Sequence, residues 1–137
     1  GFDPKVAFLS HSTFGQPVTD RTKRISDAVE ILKKSNVDFK FDGEMQPDVA
    51  LEEAYKELYP FSEIVGSSNV LIMPSQHSAA ISYKMIKSMS RAKVIGPLLI
   101  GLGLPIEIAP LRSSTSEIIN LASIAAYSAD VIDYKKN

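Results

Sequence analysis

One feature constrains this chain more than any other. Short β-rich apolar runs alternate with longer segments whose apolar residues recur at helical spacing. That alternation is the pattern of a parallel sheet covered by helices. Lys5–Ser10 reads as the first strand, and the turn-forming Gly15-Gln16-Pro17 follows it. Thr19 or Asp20 then caps a helix whose Ile25, Ala28, Val29 and Leu32 fall at i, i+3, i+4 and i+7, one stripe for one buried face. Val37–Phe41 is a second short strand. Pro47 suits the first turn of a second helix, with Ala50, Leu51, Ala54 and Leu58 as its buried face and Tyr59-Pro60 as its stop.

Asn69–Met73 gives a third strand halted by Pro74, and Ser78–Met89 sets Ile81, Met85, Ile86 and Met89 on one side of a third helix. Lys93–Leu99 and Ile106–Ile108 read as further strands around the turn Gly101–Pro105. The last helix is predicted over about residues 114–128: Ser114 and Glu117 have capping-box spacing, and Ile118, Leu121, Ala122 and Ala125 form the apolar face. Asp130–Asn137 turns polar and is expected to fray. The expected architecture is α/β, a three-layer α/β/α sandwich on a mostly parallel sheet with right-handed crossovers.

Composition narrows the functional classes. At 137 residues the chain suits one domain or one large lobe, and 45% hydrophobic residues supply a core. Fifteen basic against sixteen acidic side chains leave a formal charge of -1, so no global field favours nucleic acid or an anionic membrane. With no Cys and two His, disulfides, thiolate nucleophiles and zinc–thiolate sites are excluded and a metal site is not expected. A reducing cytoplasm is compatible. No run approaches the roughly 18 apolar residues that span a bilayer. The chain opens on Gly1 and enters a strand almost at once, which reads as a piece of something longer.

The residues with chemical potential lie at strand ends. Ser12 and Thr13 follow the first strand, where backbone N–H groups attract anions, so their hydroxyls could hold a phosphate or could simply close a turn. Asp42, Glu44 and Asp48 could bind a metal or exchange protons, or serve the backbone locally. His77 follows a strand without triad partners. Lys84 either reaches a ligand or lays its stem along the core, and Arg112 and Asn120 flank the last helix start, where a phosphate could be met. There is no Walker pattern and no Gly-x-Gly-x-x-Gly.

Several blocks together resemble the phosphate acetyl/butyryl transferase family: Leu9-Ser10-His11-Ser12-Thr13-Phe14-Gly15, Asp42-Gly43-Glu44-Met45-Gln46, Asn69 to Pro74, Ile81-Ser82-Tyr83-Lys84, Val94 to Leu102 and Glu117-Ile118-Ile119-Asn120. The resemblance implies a sandwich related to the isocitrate and isopropylmalate dehydrogenase fold. Residues 1–93 would be a second lobe, 94–129 a segment returning to the first lobe and 130–137 a polar tail, with a catalytic domain upstream. Within the family the chain looks most like the C-terminal domain of large bacterial NADP-dependent malic enzymes. His77-Ser78-Ala79 stands where the transferases have Asn-Ser/Thr-Gly, and Pro110-Leu111 where they carry Ser-Arg. In the transferases that arginine binds the acyl phosphate and the serine assists the departing thiolate, with a supporting aspartate at the position of Glu117.

The resemblance therefore implies a regulatory and oligomerising domain with no catalytic residue of its own. It would bind acetyl-CoA as an allosteric effector through Ser12, Thr13, Lys84 and Asn120, with Arg112 as a substitute anion contact. No cofactor is expected in this domain. The parent would convert malate to pyruvate with NADP and Mg or Mn, in the cytoplasm, as a homo-oligomer. The alternative is an active phosphate acetyltransferase in which Arg112 replaces the displaced arginine.

Overall fold

A computed structural model describes residues 2–134. They fall into two compact units, the chain passing from the first to the second between Met85 and Ile86. The first unit is built on a three-stranded parallel sheet in the order β2-β1-β3, with β1 at Lys5–Leu9, β2 at Lys40–Met45 and β3 at Val70–Ile72. Being central, β1 is the most buried strand, with its Val6, Ala7 and Leu9 buried. Ala7 and Leu9 join Met45, Val49, Ala50 and Ile64 in one core. Each large aliphatic side chain so buried contributes on the order of 1.5–3 kcal/mol.

Helix α1 runs over Asp20–Lys33 behind a capping box in which Thr19 and Thr22 bond each other's backbone N–H groups. Its Val29 is buried as the helical spacing requires. Helix α2, Pro47–Leu51, starts on its proline but ends early, because Glu52 is extended and Glu53–Leu58 winds as a 3-10 helix. Ala50 is buried, whereas Leu51 and Leu58 of the expected stripe are exposed. Helix α3, Gln76–Met89, begins two residues before the expected Ser78, because Ser75 accepts the Ser78 N–H and acts as its cap. Its stripe Ile81, Met85, Ile86 and Met89 is exposed.

Strand β2 lies further along the chain than Val37–Phe41 and runs through Asp42, Gly43 and Glu44. Its charged residues are tolerated because each carboxylate is bonded. Asp42, buried, accepts the N–H groups of Gly43 and Glu63 at 2.9 Å each. The register of β1 against β2 shifts between Phe8 and Leu9, a bulge that leaves Glu44 as the extra residue on β2 and interrupts the ladder there. Gly43 sits at φ 149°, where a Cβ would lie 2.7 Å from the Phe8 carbonyl oxygen and 2.8 Å from the Phe8 Cβ.

In the second unit, helix α4 spans Thr115–Tyr134 and so continues through the segment expected to fray at Asp130. The remainder of the expected polar tail, residues 135–137, lies outside the described residues. Of the expected face, Leu121 is buried and Ile118 is exposed. The two strands expected at Lys93–Leu99 and Ile106–Ile108 do not form. Among the described residues they are paired by a single antiparallel bridge, Leu98 to Glu107, with no neighbouring strand beside either run.

Gly43→Ala should destabilise the first unit by about 1–3 kcal/mol through the clash with Phe8. Urea unfolding checks this, with Gly101→Ala, which has open space but φ +80°, showing the backbone cost alone.

Candidate functional site

The carboxyl ends of β1 and β2 carry a polar cluster that sets the loop between β1 and α1. Glu44 is buried, and its Oε1 accepts the Ser12 hydroxyl at 3.0 Å and the Gly15 N–H at 2.6 Å. The Glu44 carbonyl accepts the Phe14 N–H at 2.8 Å, and Met45 accepts the Ser10 N–H at 2.9 Å. Thr13 accepts the Gln46 N–H on its Oγ1 at 3.1 Å. Ser12 is fully buried and Thr13 nearly so. Both hydroxyls thus serve the loop first, as loop hydroxyls commonly do.

The three acidic residues near β2 do different work. Asp42 and Glu44 are bonded as described, and Asp48 accepts the Val49 N–H in the first turn of α2. Among the described residues no three His, Asp or Glu side chains gather at a metal-sized site. Beside this cluster lies a groove of about 540 Å3, lined among others by Phe14, Tyr55, Tyr59 and Phe61. Phe14, Tyr59 and Phe61 meet with centroids 4.9–6.1 Å apart in tilted and edge-on contacts. Sequence reasoning missed this groove. Its signal was the aromatic cluster that closes the 3-10 segment.

Lys84 lies on α3 and is exposed. Asn120 and Arg112 belong to the second unit. There, a small pocket is lined by Pro110, Ser113, Glu117 and Asn120 together with Lys87 and Gly96. Leu111 is fully exposed and Arg112 is exposed beside it. Glu117 is held on both oxygens: Oε1 meets the Lys87 ammonium at 2.6 Å, and Oε2 accepts the Ser114 N–H at 2.7 Å and its hydroxyl at 3.0 Å. The Glu117 N–H returns a bond to Ser114 Oγ, completing the capping box. The bond from Lys87, with those from Ser114, lowers the Glu117 pKa from 4.5 to about 2. A carboxylate so held is a weak proton acceptor.

The model for phosphate acetyl/butaryl transferase matches residues 1–126. The chain belongs to that family. It is 49% identical over 129 residues to an NADP-dependent malic enzyme of Rhizobium meliloti, covering 94% of this chain and 17% of that protein. It is 36% identical to the phosphate acetyltransferase of Clostridium acetobutylicum, covering 93% of this chain and 38% of that one. A phosphotransacetylase from Streptococcus pyogenes superposes with a TM-score of 0.83 at 35% identity, over 93% of this chain and 39% of that structure. The chain thus spans under a fifth of the malic enzymes and about two-fifths of the transferases.

In this family member, an α/β fold with a small parallel sheet carries the Ser12–Glu44 cluster on one unit and the Glu117 pair on the other. Because the Glu117 pKa is lowered on folding, its contribution is fully present above about pH 4.5 and is lost as pH falls toward about 2. Glu117→Gln should flatten the stability profile of the second unit across that window. Thermal unfolding of both forms from pH 6 to pH 2 checks it, and a variant that keeps the wild-type acid slope would contradict the pairing.

Proposed function

We propose that this chain is the C-terminal regulatory and assembly domain of a malic-enzyme-type polypeptide, binding acetyl-CoA as an effector without transferring its acetyl group. One observation carries the reading. Where the resemblance places an arginine, a serine and a supporting aspartate in the transferases, this chain has Leu111, Pro110 and a Glu117 bound by Lys87 and Ser114. Neither Pro110 nor Leu111 can donate a hydrogen bond from its side chain or offer charge to a departing thiolate. Losing one such donor commonly costs about 100-fold or more in rate. The 49% identity to a malic enzyme supports the same reading.

The remaining features of the proposal follow from the family. The complete fold is a three-layer sandwich of the isocitrate and isopropylmalate dehydrogenase type, with residues 1–93 in one lobe and 94–129 returning to the other. Thr13, Lys84 and Asn120 face the anionic end of acetyl-CoA, with Ser12 bracing the loop through Glu44 and Arg112 as a substitute contact. The catalytic domain of the same polypeptide oxidises malate to pyruvate with NADP and Mg or Mn, in the cytoplasm. Regulation requires that acetyl-CoA prefer one arrangement of a homo-oligomer, since equal affinity for both shifts nothing.

The second reading, an active acetyltransferase, is favoured by the exposed Arg112 beside the pocket at Pro110 and Ser113. Acetyl phosphate formation from acetyl-CoA and phosphate by the intact polypeptide separates the two. The proposal expects no turnover above background. Turnover at ordinary enzymatic rates that disappears in Arg112→Ala would establish the second reading instead.

A further inference from the structure

We infer that the aromatic groove of the first unit seats an adenine ring. It does not rest on the acetyl-CoA reading above, although the groove shares Thr13 with it: every lining residue lies between Thr13 and Phe61, within the first unit. Its volume, about 540 Å3, suits a nucleoside-sized ligand. Phe14, Tyr59 and Phe61 contact one another by tilted or edge-on approaches, and Phe14 and Tyr59 also pack on the core, so the open ring of the cluster is that of Phe61. Phe61 is 64% exposed although it belongs to this cluster. An aromatic ring left this open in a mixed polar and apolar groove is a ready stacking surface.

Two further observations favour adenine over a purely apolar guest. Gln46 and Gln16 both line the groove, and neither side-chain amide has a hydrogen-bond partner among the described residues. A glutamine amide offers a donor beside an acceptor, the complement of adenine's N6 amino group and N7. The second observation is the backbone of Phe14, at φ 46°, a conformation that bulky residues rarely adopt. It is held there by the bonds from the Phe14 and Gly15 N–H groups to Glu44, so its ring is fixed in the groove wall in advance. Adenine is carried both by free nucleotides and by the distal end of coenzymes such as CoA, and the groove chemistry is the same for each.

The test is calorimetric titration of the intact polypeptide with adenosine, with inosine as the control that replaces the amino group by a carbonyl. Saturable adenosine binding is expected, weakened about tenfold or more by Phe61→Ala. A preference for adenosine over inosine should be present in the wild type and lost in Gln46→Leu. Competition with AMP and with acetyl-CoA then names the source, the tighter competitor being the one whose adenine the groove takes. No saturable adenosine binding, or binding that both variants leave unchanged, overturns the inference. So does a change of oligomeric state in Phe61→Ala without adenosine binding, which would assign the groove to a contact between copies. Acetyl-CoA binding that persists unchanged in Phe61→Ala would leave the effector reading standing while removing the coenzyme as the source.

Discussion

A carboxylate withdrawn from water at the end of a strand must recover its hydrogen bonds from the protein, and the way Glu44 does so organises the first unit. Its Oε1 draws in the Ser12 hydroxyl and the Gly15 N–H, while its carbonyl takes the Phe14 N–H. With the Ser10 to Met45 bond and the Gln46 to Thr13 bond, the loop after β1 is tied to the end of β2 at five points. That tie sets the left-handed backbone at Phe14 and hence one wall of the aromatic groove. It also explains why β2 can run through Asp42-Gly43-Glu44. A bare glycine lets the strand approach Phe8, and the flanking acids are satisfied by the chain itself.

The second unit is organised by charge at a helix end. Glu117 caps its own helix through Ser114 and pairs with Lys87, whose side chains are only partly exposed, at 33% and 43%. The carboxylate favours the helix N-terminus and the lysine favours the carboxylate, so the start of α4 is well held. The same bonds engage both of its oxygens. Pro110, which lines the same pocket, adds no polar side chain to it, and the transferase-family scaffold is proposed as a sensor on that ground.

Much of this was legible in the sequence. The apolar run at Lys5–Leu9, the Thr19 cap, Pro47, Pro74 and the Ser114-to-Glu117 spacing each mark an element boundary by local chemistry, and the structure places elements there. Three features were not local. Strand β2 extends through Glu44 only because distant N–H groups, from Gly15 and Glu63, bond its acids. Helix α2 stops at Leu51 although the helical spacing continues to Leu58. The apolar runs at 93–99 and 106–108 have strand composition, yet composition does not supply a neighbouring strand. At the candidate site, residue types pointed to Ser12 and Thr13, but their burial and prior commitment to Glu44 and Gln46 depend on pairs 32 and 33 residues apart.

The central claim is that acetyl-CoA acts on this domain as a signal and leaves it chemically unchanged. The most direct measurement is the rate of malate oxidation by the intact polypeptide, with and without saturating acetyl-CoA in phosphate buffer, alongside recovery of the thioester. The account predicts a rate changed roughly fivefold or more, with the acetyl-CoA recovered intact. An unchanged rate, or conversion of the thioester to acetyl phosphate, would contradict it.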